Sequence, residues 1–322
     1  MTTTHPRPLS VAEMQAALDA AWRGEFADPG RGQLPADGGK APESGTPGFE
    51  AAGGSSTVGR DQAGGRSART SDAAGGRRAA AASHTAILTG RAVLILAGHA
   101  GAGASTVAVL LGEAAVMAGT ATRLVECADP TRSGVAAATD AELGEDPSGW
   151  RLGRRGDLVV ERPARHVADV EDVAPPRPVS TEPGGAPLTV VDAGWSAWDI
   201  LTATSWVTSL LHTAQILIVC RATLPGVRQT EQLLAALTDR EPLVAAVGPA
   251  KWPGVVIASC GPLLRAALDA DRIVPVPLDR QLDVTGLTAG PLPKQLTAAG
   301  RSLAGRVLTD LPAPTTRQRR AG

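Results

Sequence analysis

The sequence predicts an α/β fold: a three-layer, doubly wound domain on a mostly parallel sheet. Three observations carry that expectation. From about Ala86 onward, short runs of Val, Ile and Leu recur at regular intervals, helix-period segments separate most of them, and the first run leads straight into the glycine-rich turn GHAGAGAST (98–106), from which a helix departs. Strands that are apolar at nearly every position are covered on both faces, which a parallel sheet between helical layers provides. Ligands of such sheets collect at the carboxyl ends of the strands.

The elements follow in order. Strand-like runs are RAVLILAG (91–98), ATRLVECA (121–128), DLVVER (157–162), PLTVVDAG (187–194), AQILIVCRA (214–222), PLVAAVG (242–248) and RIVPVP (272–277), with PGVVIAS (253–259) a weaker eighth. Helical patterns occupy 105–119, 197–212, 226–238, 262–269 and 292–311. In the last of these Leu296, Leu303, Val307 and Leu311 form an apolar stripe, read as packing on the domain rather than as a membrane contact. Residues 163–186 are rich in Pro and acidic groups and read as an excursion between strands. His166 within them has no nucleophile motif nearby and reads as an ordinary loop histidine.

Upstream of the domain, residues 27–83 hold only Leu34, Phe49 and Val58 as large apolar side chains. Such a segment cannot bury enough surface to offset its ordering, so 27–85 is expected to be a disordered linker. Before it, LSVAEMQAALDAAWRG reads as a short amphipathic helix in residues 1–26. Ser10 and Glu13 form a capping box, Val11, Met14, Leu18 and Trp22 share a face, and Gly24 stops the run. A helix this short needs its apolar face covered, either by its own domain or by a protein partner docking on residues 9–24. The domain itself is expected over 86–311, followed by a disordered basic tail, 312–322.

The 322-residue chain has a net charge of −1, which gives no global attraction to nucleic acid or an acidic membrane. Arg60, Arg66, Arg69, Arg77 and Arg78 in the linker and Arg317, Arg319 and Arg320 in the tail are local basic runs, read as solvated rather than as DNA contacts. Cys127, Cys220 and Cys260 are odd in number, widely spaced and set in apolar runs, as expected of buried thiols in a reducing compartment. No cysteine or histidine spacing suits a metal site. No secretion signal is visible, and the charge-poor stretch 200–220 carries His212 and Gln215 and reads as a buried helix and strand rather than a membrane span. A cytoplasmic protein is expected. The domain contains no Tyr or Phe, since Phe26 and Phe49 both precede it, so aliphatic residues and Trp must fill its core.

Aligned to GxxxxGK[ST], the glycine-rich turn supplies Gly98, four residues, Gly103, then Ala104 in place of lysine, then Ser105 and Thr106. The N–H groups of Gly101, Gly103 and Ala104 and the helix dipole would still form an anion nest, and Ser105 holds the place of a Mg²⁺ ligand.

At this point the chain resembles the MinD/ParA group of P-loop ATPases, whose loop reads KGGxGK[ST][ST]. His99 and Ala104 stand where the family has its two lysines. LVECADPTRSG is similar to the family's second strand ending in DxDP, with Cys127 at the first acidic position and Asp129 and Pro130 at the second. LTVVDAG resembles the strand bearing the Mg²⁺-associated acid, here Asp192. AQILIVCRATLPGVRQTEQLLAAL resembles the next strand and helix, and VPVPLDRQL a late strand with the pair Asp279 and Arg280. The lysine-less loop looks most like the TadZ/CpaE and septum-site (Ssd) branch, whose members serve as localisation or scaffold factors.

The resemblance implies ATP and Mg²⁺ as ligands. The nucleotide would lie on Gly98, His99, Gly101, Ala102, Gly103, Ala104, Ser105, Thr106 and Asp192, with Ser105 and Asp192 on the metal and Asp129 at a switch position. Each acid also has a plain structural reading: Asp192 as a cap on the next helix, Asp129 as a turn residue before proline. Trp195 and Trp198, three apart, are expected to share one side of a helical turn. Two functions are weighed: a degenerate scaffold with weak or no hydrolysis, and an active ATPase that dimerises on ATP and uses a relocated cation such as Arg132 or Arg221. A dinucleotide oxidoreductase is disfavoured, because Thr106 stands where GxGxxG needs Gly or Ala and the chain has no tyrosine.

Overall fold

Residue alternation along the first strand sets the architecture. In β1 (Arg91–Ala97) Val93 and Ile95 point to one side of the sheet and Leu94 and Leu96 to the other, and all four are fully buried. A strand can bury both faces only between two layers, and the computed structural model, which describes residues 91–178 and 187–310, has them. Val93 and Ile95 pack with α1 (Ala104–Met117) and α8 (Lys294–Asp310). Leu94 and Leu96 join a second core with α2 (Ala197–Thr202), α3 (Trp206–Thr213), α4 (Leu224–Ala236), α5 (Gly254–Ala258) and α6 (Pro262–Asp269). The three-layer α/β fold expected from the sequence is the fold observed.

The remaining strands are β2 (Thr122–Glu126), β3 (Ala141–Glu145), β4 (Trp150–Arg155), β5 (Leu158–Pro163), β6 (Leu188–Ser196), β7 (Gln215–Arg221), β8 (Leu243–Val247) and β9 (Ile273–Val276). They form one sheet in the order β3-β4-β5-β2-β6-β1-β7-β8-β9. From β5 to β9 every neighbouring pair is parallel, while β3, β4 and β5 form an antiparallel meander at one edge. The chain order reverses around β1, so the turn after β1 opens at a switch point of the sheet.

Several sequence expectations are corrected. PGVVIAS is not a strand: β9 already occupies the edge beside β8, and the N–H groups of Val256 and Ile257 bond back to Pro253 O, which makes the run the short helix α5. The segment 197–212 is two helices, because Ser205 leaves helical geometry and caps α3 by accepting from Thr208 N at 3.1 Å. Trp195 and Trp198 do not share a helical turn, since Trp195 belongs to β6 and Trp198 to α2. The described part of the excursion, residues 164–178, is fastened down: Trp150 and Trp206 donate their indole N–H groups to Pro175 O and Val173 O, and Val167, Val170 and Val173 are buried. Leu296, Leu303 and Val307 are buried in the core with α1, as the stripe on the last helix predicted. Leu311, the N-terminal helix, the linker and the basic tail lie outside the described residues. All three cysteines are buried and free. No helix among the described residues is long and apolar enough to cross a membrane.

Candidate functional site

The turn after β1 has the backbone of an anion cradle. Gly101 (φ 71°) and Gly103 (φ 97°) take left-handed conformations that a side chain disfavours, and Gly103 is the N-cap of α1, with no side chain capping the helix. The N–H groups of Gly101, Gly103, Ala104, Ser105 and Thr106 have no protein acceptor among the described residues, so the positive end of α1 faces open space. That space is a cavity of about 950 Å³, lined by residues 97–106, by Asp192, Trp195 and Trp198 from β6 and α2, by Gln229 and Gln232 from α4, and by Arg132 and Gly134 from the loop after β2.

Asp192 lines this cavity, and a second carboxylate, Glu126, stands beside it on the neighbouring strand. Glu126 ends β2 and stands in register with Asp192 of β6, and both are buried, Asp192 to 1% exposure. Asp192 is not a helix cap. Ser196 caps α2, and neither Asp192 oxygen has a hydrogen-bond partner of good geometry among the described residues. Burial pushes the Asp192 carboxyl up, which Ser105 Oγ and Gly194 N–H nearby oppose. Glu126 is pushed up to about 7, first by burial and then by the Asp192 charge. It nevertheless accepts from Ser133 Oγ at 2.5 Å and from Gly134 N at 2.8 Å. This holds Gly134 so close to Ser105 that a Cβ there would lie 2.6 Å from Ser105 Cβ.

The preceding turn is held as firmly. Asp129 caps the single 3₁₀ turn Pro130–Arg132 and accepts from Thr131 N (2.9 Å), the Thr131 hydroxyl, Val167 N (2.8 Å) and His166 Nδ1 (2.6 Å). The loop histidine thus has a defined partner. These bonds, the Thr131 hydroxyl first, hold the Asp129 carboxyl well below the usual carboxylate range. Arg132 places its guanidinium 4.4 Å from the centroid of the Trp195 ring, and Trp195 is fixed by an indole bond to Cys127 O at 2.7 Å. Trp198, 51% exposed, stands at the rim.

The two positions without lysine differ in kind. Ala104 opens α1 and offers the cavity only a methyl group. His99 lines the cavity and is tied to backbone on both ring nitrogens: its Nδ1 bonds Ala100 O at 2.8 Å and its Nε2 accepts from Arg221 N at 3.2 Å, an arrangement met by the Nδ1–H tautomer. Arg221 is committed to Asp283 in α7 (Arg280–Thr285) by an ion pair. Asp279 caps α7, accepting from Gln281 N and Leu282 N at 3.0 Å each.

The cradle, the cavity and the orphaned carboxylate beside Ser105 fit a phosphate-bearing ligand with a divalent cation. The loop would hold the phosphates, and Ser105 and Asp192 the metal. Sequence reasoning found the loop, Asp192 and Arg132, but missed Glu126 and Gly134. The only signal for Glu126 was an acid closing an apolar strand.

No protein-family model and no curated protein matches the chain. Solved structures do. Cell-division ATPase MinD of Pyrococcus furiosus aligns with a TM-score of 0.46 at 18% identity, over 69% of this chain and 99% of that one. The ParA family ATPase of Chlorobium tepidum TLS gives 0.46 at 15%, over 67% and 99%. The MinC:MinD cell division complex of Aquifex aeolicus gives 0.45 at 18%, over 70% and 99%. These neighbours are MinD and ParA proteins. At such identities and scores the likeness is one of fold, and the fold stands on the strand order and packing described above.

Proposed function

We propose that this chain is a degenerate MinD/ParA-like scaffold, which holds ATP with Mg²⁺ weakly, turns it over slowly or not at all, and serves as a localisation or partition factor for protein partners. The observation that carries this reading is Ala104, without a cation, at the head of a cradle whose backbone is intact. A charged hydrogen bond is worth about 1.5–3 kcal/mol, so the missing lysine weakens nucleotide binding by roughly one to two orders of magnitude. Hydrolysis suffers more, because phosphoryl transfer depends on positioned charge around the moving group. Asp129, already occupied by its four donors, is a positioning residue for the turn that follows it.

When bound, Mg²⁺ would supply charge neutralisation to the phosphates. Around it, Ser105 and Asp192 offer oxygen ligands, the N–H groups of 103–106 orient the anion, and Glu126 keeps the 133–134 segment over Ser105. Partner recognition is assigned to residues 9–24, with a homodimer as a second assembly. The alternative is an active ATPase that dimerises on ATP and turns it over with a relocated cation.

Calorimetric titration with Mg-ATP beside a phosphate-release assay separates the two. The scaffold reading expects weak binding, negligible turnover, and tighter binding in Ala104→Lys. Turnover at the level of lysine-bearing relatives removes it.

A further inference from the structure

We propose that Arg132 is the cation that grips the phosphates in place of the absent lysine, reaching them from the loop after β2 instead of from α1. The proposal rests on the cradle reading above and assigns Arg132 to the residual binding of the phosphates, not to their turnover. Arg132 is the one lysine or arginine lining the cavity among the described residues. Its guanidinium has no carboxylate partner among them, unlike Arg221, whose charge is spent on Asp283.

Its backbone and side chain are held very differently. The turn is clamped at one end by the four donors to Asp129 and at the other by the bonds of Glu126 to Ser133 and Gly134. The side chain lies over the Trp195 ring, its Cζ 4.4 Å from the centroid, and its N–H donors have no hydrogen-bond acceptor among the described residues. A planar fork with spare donors, based at a fixed point on the wall of an anion cradle, suits bidentate binding of a phosphate. Exposed stacking is the weaker of the two interactions open to it, so a phosphate would draw the guanidinium from the indole. Asp129, His166 and Glu126 are then positioning residues for Arg132.

The test uses the full chain with Mg²⁺, titrated with ATP and with AMP at fixed ionic strength, while tryptophan emission is followed. The wild type is expected to prefer ATP, with a change in emission on binding. Arg132→Gln is expected to lose ten- to a hundredfold in ATP affinity while AMP affinity falls less, and to lose most of the emission change. Should that variant not fold, Arg132→Met decides the matter: a ten- to hundredfold loss for ATP supports the proposal and an unchanged affinity overturns it. Equal ATP affinity in wild type and Arg132→Gln also overturns it while leaving the cradle reading intact. If the folded wild type binds neither nucleotide, both fall.

Discussion

Glu126 and Asp192 stand in register across β2 and β6, both buried, with Asp192 lining the cavity at the head of α1. The folded Glu126 keeps its proton up to about pH 7, whereas its ordinary value is 4.5. Between those values the folded chain binds more protons than the unfolded one. The contribution of Glu126 is therefore fully present below pH 4.5 and is lost as the pH rises through that window. A displacement of this size corresponds to about 3 kcal/mol. Urea denaturation at pH 5 and at pH 7.5 is expected to show the loss, and Glu126→Gln to flatten it. An unchanged slope in the variant would exclude Glu126 as its source.

Asp129 has the opposite sign. Its folded carboxyl lies below its ordinary value of 3.8, so its stabilisation is present above that value and is lost as the pH falls through the folded one. Asp129→Asn is expected to be less stable than wild type at neutral pH and to lose less on acidification below pH 4. Acid titration followed by circular dichroism checks this, and parallel curves for the two proteins would refute it.

Gly134 is a fit to Ser105. A methyl group at 134 would lie 2.6 Å from Ser105 Cβ, so Gly134→Ala is expected to cost about 1–3 kcal/mol through overpacking. Ser105→Gly in the same chain should recover part of that cost. A double-mutant cycle measures the coupling, and strictly additive effects would mean that the two residues do not touch.

Leu303 is fully buried between α8 and α1, so Leu303→Ala is expected to cost about 2–5 kcal/mol in urea denaturation. Val284, 87% exposed, is the control: Val284→Ala should change stability by less than about 0.5 kcal/mol. Similar small effects at both sites would contradict the burial of the α8 stripe.

Much of this protein was legible before its fold was known, for local reasons. Seven apolar runs became strands, because a run long enough to be buried on both faces has few other solutions. The 98–106 turn lay where a strand hands over to a helix, and Gly101 and Gly103 in it occupy left-handed positions. The β3–β4 hairpin was illegible. β3 is exposed along its length, and three of the six residues of β4 (WRLGRR) are arginines, so neither carries a clear apolar period. Helix α7, six residues at the sheet's carboxyl edge, is too short to show one.

The sequence by itself determined the layered sheet, the cradle and the absence of lysine at positions 99 and 104, because these follow from residue type and period over short stretches. Only the tertiary structure decided what each polar group does. Glu126 meets Asp192 because two strands distant in the chain are neighbours in register. Asp129 is filled by a histidine 37 residues away. Arg221 is spent on an ion pair while Arg132 rests on an indole beside the cradle. Those partnerships depend on which elements the packing brings together, and no spacing along the chain encodes them.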